Sequence, residues 1–124
     1  MAKVLVIDDD PFVRKTIGRI LACEDYQLIM AEDGREGLEL FQREQPDLVI
    51  TDIIMPDVEG IETIRKIRQM RPAVRIIAIS GGGRFGVANF LEVAAKFGAH
   101  ETIVKPFDPA ELLDSVTRCL RTTS

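Results

Sequence analysis

Asp47-Leu48-Val49-Ile50-Thr51-Asp52-Ile53-Ile54-Met55-Pro56 is the stretch that decides how this chain folds. Leu48 to Ile50 form a continuous apolar run rather than an alternating one. Such runs belong to strands of a parallel sheet that helices cover on both faces. The run delivers a carboxylate to its end, and Pro56 prevents the strand from continuing. Asp52 is therefore expected at the carboxyl end of a strand, where open α/β sheets bind their ligands.

The same punctuation recurs on either side. Lys3 to Ile7 is an apolar run ending in Asp8-Asp9-Asp10-Pro11. Asp10 is read as a helix cap and Pro11 as the first helical residue, because proline's missing N–H is not needed there. Val13, Ile17, Ile20 and Leu21 then recur at helical spacing. Tyr26 to Ala31 is a second strand, Asp33-Gly34 a turn, and a second helix runs to about Gln45. Beyond the loop from Ile53 to Glu59, Ile61, Ile64 and Ile67 mark a third helix from Gly60 to Met70, stopped by Pro72. Arg75 to Ile79 is the fourth strand, ending at Ser80 and followed by Gly81-Gly82-Gly83. Val87, Phe90, Leu91, Ala94 and Phe97 line a fourth helix closed by Gly98. Thr102 to Val104 is the fifth strand, ending in Lys105-Pro106-Phe107, and Asp108-Pro109 opens a last amphipathic helix.

Five strands alternating with five helices imply an α/β fold with right-handed crossovers and helices on both faces of a parallel sheet. The flavodoxin-like order 2-1-3-4-5 is the common five-stranded solution, with its switch point between strands one and three. Asp8, Asp9 and Asp52 then meet at one crevice, flanked by Ser80 and Lys105.

Clustered carboxylates repel one another, so a cation or protons must compensate them. Oxygen ligands without histidine or cysteine suit Mg²⁺, and a hydroxyl, an ammonium and a divalent cation around one carboxylate suit phosphoryl chemistry. Asp52 is the expected nucleophile, forming an aspartyl phosphate. The glycine run lacks the Lys-Ser/Thr that would make it a P-loop.

Composition narrows the partners. The 124 residues carry a net charge of −4, and no basic stripe is available to neutralise nucleic-acid phosphates. Cys23 and Cys119 have no metal or redox spacing and are read as packing residues at helical positions in a reducing compartment. His100, alone near a turn, is expected to be exposed. No apolar run is long enough to span a bilayer and no signal peptide is evident, so the chain is expected to be cytoplasmic, a single domain over residues 1–124.

Val4 to Asp9, Asp47 to Pro56, Gly60, Ser80 and Lys105-Pro106-Phe107 together resemble, in order and spacing, the receiver domain of two-component response regulators over the whole chain. The resemblance implies that Asp52 receives a phosphoryl group from a sensor histidine kinase or a phosphotransfer protein. It implies that Mg²⁺ is bound by Asp9, Asp52 and the Ile54 main-chain carbonyl, with Asp8 acting through water. Ser80 and Lys105 would contact the phosphoryl group, and the Lys105-Pro106 bond would be cis. The implied role is a switch rather than an enzyme. Output would pass through a partner protein or a phosphorelay, from a monomer or a phosphorylation-dependent dimer.

Two departures from the family pattern, and the apolar Ile54, carry expectations of their own. Thr102 replaces the usual aromatic residue three positions before the lysine, and the three glycines after Ser80 free the loop that must move. An altered output surface around Phe85, Val87 and Phe90 follows. Ile54 offers no polar group to a water attacking the phosphoryl group, which implies slow self-dephosphorylation. It also argues against a haloacid-dehalogenase-type phosphatase, which would carry a second acid there. A degenerate receiver used only for dimerisation is the other alternative, although every chemical position is intact.

Overall fold

The computed structural model describes residues 2–53, 59–81, 96, 98–105 and 107–121. Among the described residues nine elements follow in chain order: β1 (Ala2–Ile7), α1 (Pro11–Leu21), β2 (Tyr26–Ala31), α2 (Gly34–Glu44), β3 (Leu48–Asp52), α3 (Glu59–Met70), β4 (Arg75–Gly81), β5 (Glu101–Lys105) and α4 (Pro109–Arg121). The strands form one sheet in the order β2-β1-β3-β4-β5, and every pairing is parallel. The expected topology is therefore realised. Four of the five expected helices lie among the described residues; of the helix expected over 87–97 only Lys96 is described, and it is helical, while Met55, Pro56, Phe85, Phe90 and Pro106 fall outside them.

The period-2 geometry of a strand explains why its apolar runs have no polar positions. Leu5, Ile7, Val49, Ile76 and Ala78 face one core with Phe41 of α2 and Ile64 and Ile67 of α3. Val4, Val6, Leu48, Ile50, Ile77, Ile79 and Ile103 face the other, with Ile17 and Leu21 of α1 and Leu112, Val116 and Cys119 of α4. Both faces of the sheet are covered, so the central strands need apolar residues throughout. On the first face, α2 approaches the end of β1 so closely that a Cβ at Gly37 would lie 2.5 Å from the Ile7 side chain.

Asp10 caps α1 as expected: its carboxylate accepts from the Phe12 N–H at 2.9 Å, and Pro11 opens the helix. One packing expectation is corrected. Cys119 is buried in α4, but α1 closes at Ala22, so Cys23 falls in the turn beyond it and is exposed, its thiol donating to the Ile20 carbonyl.

His100 is exposed as expected, but it is not alone. Its Nδ1 accepts from the Ile76 N–H at 3.3 Å and lies 3.2 Å from the Arg68 guanidinium, which also donates to the Val74 and Gly98 carbonyls. Burial first, then Arg68 and Arg75, hold its pKa below the usual histidine value.

Candidate functional site

Parallel strands all end at the same edge, so residues that terminate different runs in the sequence become neighbours. Asp8 follows β1 and Asp52 ends β3, whose Thr51 pairs with Ile7. Ser80 and Lys105 arrive from β4 and β5, in which Ser80 pairs with Val104 and Gly81 with Lys105. Asp52 is in register with Ile79, one residue before Ser80.

Asp8, Asp52 and Ser80 are buried, whereas Asp9 is exposed. Carboxylate oxygens of Asp8, Asp9 and Asp52 lie within 4.8 Å of one another, an all-oxygen group able to hold a metal ion. The Lys105 ammonium enters the same cluster, 3.0 Å from Asp52 Oδ2 and 3.2 Å from Asp8 Oδ2. The sequence-predicted acids and the lysine are thus brought together. Ile54 lies outside the described residues, so its carbonyl is not placed.

The local fold holds Asp8 from three sides. Its N–H donates to the Ala31 carbonyl at 3.1 Å, continuing the β1–β2 ladder. Its Oδ1 accepts from the Asp10 N–H at 2.9 Å. Its main-chain carbonyl accepts from Arg14 Nη1 at 2.5 Å. Sequence reading assigned no role to Arg14; its only signal is a cation near the positive, amino-terminal end of α1, where the helix dipole disfavours it.

Electrostatics follow from burial. Desolvation pushes the Asp8 carboxyl up to about 6; the Asp10 N–H opposes this, nearby Asp52 adds to it, and Lys105 offsets it only in part. For Lys105, burial acts to lower the pKa, but Asp52 and Asp8 together outweigh it and hold the ammonium above its ordinary value. Among the described residues, these two buried acids share the Lys105 ammonium. Thr102, which stands where the resemblance would place an aromatic residue, is exposed on β5 opposite Ala78.

Comparison with known proteins agrees with this geometry. Residues 4–117 match the response regulator receiver domain. The chemotaxis protein CheY of Listeria monocytogenes is 32% identical over 122 residues, covering 98% of this chain and 100% of the relative. The Guillardia theta protein ycf27 is 38% identical over 122 residues, yet the chain spans only 46% of its length. A CheY-like receiver domain protein from Methanospirillum hungatei superposes with a TM-score of 0.90 at 28% identity, covering 99% of this chain and 96% of that structure. Among the described residues no helix is long and apolar enough to cross a membrane.

Proposed function

The chain belongs to the response regulator receiver domain family of two-component signalling, and from that premise we propose that Asp52 accepts a phosphoryl group and that the resulting charge resets the fold's output surface. The observation that carries the reading is the Lys105 ammonium 3.0 Å from Asp52 Oδ2 inside a cluster of three carboxylates. A nucleophile needs a partner for the charge that arrives with the phosphoryl group, and Lys105 is already in place.

In the transfer, an Asp52 carboxylate oxygen forms a bond to phosphorus while the P–N bond of a phosphohistidine protonated on its other ring nitrogen breaks, and the electron pair stays with the ring, which leaves as neutral imidazole. A histidine kinase or phosphotransfer protein is the donor. Asp9 and Asp52 would hold Mg²⁺, with Asp8 acting through water, and the ion would supply charge to neutralise the acids and the phosphoryl oxygens. Lys105 then pairs with the phosphoryl oxygens, and the Ser80 hydroxyl, carried on the adjacent strand, donates to another. About two negative charges added beside a hydroxyl and an ammonium favour whichever conformation brings these donors closer. The chain is a switch, acting on a partner protein or passing the phosphoryl group on, rather than a turnover enzyme.

Intact-mass measurement after incubation with acetyl phosphate and Mg²⁺ tests this. Wild type should gain one phosphoryl group, whereas Asp52→Asn and a chelator-treated control should gain none. An unmodified wild type that also fails to bind beryllofluoride would instead make the domain a constitutive interaction module.

A further inference from the structure

The three acids of the cluster are not held equally. Asp8 has the Asp10 N–H on one oxygen and Lys105 on the other, and Asp52 has Lys105. The exposed Asp9 carboxylate has no hydrogen bond or ion pair among the described residues. Among the described residues, its place in the cluster is set by the main chain. The peptide that aims it joins Asp8 to Asp9, and the carbonyl of that peptide is the group that Arg14 grips at 2.5 Å.

We propose that Arg14 is a positioning residue: by fixing the Asp8–Asp9 peptide plane it holds the otherwise unsupported Asp9 carboxylate in the metal-binding arrangement. The proposal rests on the reading of the cluster as the Mg²⁺ site. Rotation of a peptide plane swings the next Cα–Cβ bond, so a free carbonyl at residue 8 would let the Asp9 oxygens drift away from those of Asp8 and Asp52. Arg14 suits the task because its long side chain reaches back from the fourth residue of α1 to the end of β1, and its planar fork donates in a fixed direction. A guanidinium so placed is opposed by the helix dipole and by an incoming cation, so attraction to the metal does not explain its position.

That opposition gives the test its sign. Were Arg14 only a nearby positive charge, Arg14→Met would tighten Mg²⁺ binding and Arg14→Lys would leave it unchanged. Positioning requires the reverse: both variants should bind Mg²⁺ about tenfold more weakly, the scale typical of lost support to a metal ligand. Calorimetric titration of the unphosphorylated protein with MgCl₂ reads this directly, with thermal melts confirming that each variant is folded.

A double-mutant cycle isolates the route. Asp9→Asn combined with Arg14→Met should cost no more affinity than Asp9→Asn alone, because Arg14 acts through Asp9. Independent, additive losses, or equal or tighter binding by the single Arg14 variants, would overturn the proposal. A wild type that binds no Mg²⁺ would instead overturn the metal-site reading on which the proposal depends.

Discussion

Asp8 and Glu101 are both partly or wholly buried carboxylates that meet a cation and a hydrogen-bond donor, yet their protonation is biased in opposite directions. At the carboxyl edge of the sheet, Asp8 is pushed up to about 6 by burial and by Asp52. At the amino end of β5, Glu101 is held below its ordinary value chiefly by the Arg118 guanidinium, with burial opposing and Ser115 assisting. The difference is one of charge balance. Glu101 has a bidentate arginine, at 2.7 and 2.9 Å, for itself, whereas Asp8 shares one ammonium with Asp52. Among the described residues, one site has a cation to each acid and the other has two acids to one cation.

The largest expected consequence concerns that ammonium. Lys105→Met leaves Asp8 and Asp52 buried without their bridging cation and should destabilise the metal-free protein at neutral pH by about 3 kcal/mol, as removing one partner of a buried pair does. Urea unfolding in the presence of a chelator measures it. The loss should shrink toward pH 4, where Asp8 is protonated. A loss that stays constant with pH would mean that Lys105 contributes through its aliphatic stem rather than its charge.

Asp8→Asn removes one of the competing charges and should act the other way. The folded-state pKa of about 6 lies above the ordinary 3.8, so the native state holds the extra proton between those values. The stability linked to Asp8 is therefore fully present below pH 4 and is lost as pH rises through 6. At pH 8 without metal, the asparagine variant should be more stable than wild type by about 1–3 kcal/mol, with the gain vanishing in acid. Urea midpoints from pH 4 to 8 trace it, and a pH-independent difference would contradict the assigned cause.

How much of this was legible in the sequence divides along the same line. Apolar runs broken by Asp, Ser and Lys placed Asp8, Asp9, Asp52, Ser80 and Lys105 on one edge, because a parallel sheet converts run endings into neighbours. The covered faces were legible too, since uninterrupted runs such as Val4 to Ile7 have no other stable use. What the pattern could not carry was long side-chain reach. Arg14 gripping the Asp8 carbonyl, and Arg68 spanning from α3 to Gly98 and His100, depend on where helices dock, and no local spacing encodes that. Cys23 was misplaced for a smaller reason: helical spacing continues past the point where α1 stops at Leu21. That the clustered acids need compensation was legible, but how far Asp8 is biased was not, because burial contributes more to it than the neighbouring charge.

The smallest effect is expected at Glu101, and its sign sets it apart from Asp8. A depressed pKa contributes stability that is present above the ordinary value of 4.5 and is lost as pH falls through the folded-state value below it. Glu101→Gln should therefore cost a little at pH 7, less than either substitution above, because Arg118 is largely exposed and solvent screens the pair. The cost should fade in acid and with added salt. Asp8→Asn, in contrast, should lose its benefit in acid and respond to Mg²⁺ rather than to monovalent salt, since in wild type the metal supplies the charge that Asp8 lacks. If Mg²⁺ altered the Glu101→Gln difference as strongly as the Asp8→Asn difference, the two ends of the sheet would be electrostatically coupled, and the shortage of positive charge would belong to the whole domain rather than to the acid cluster.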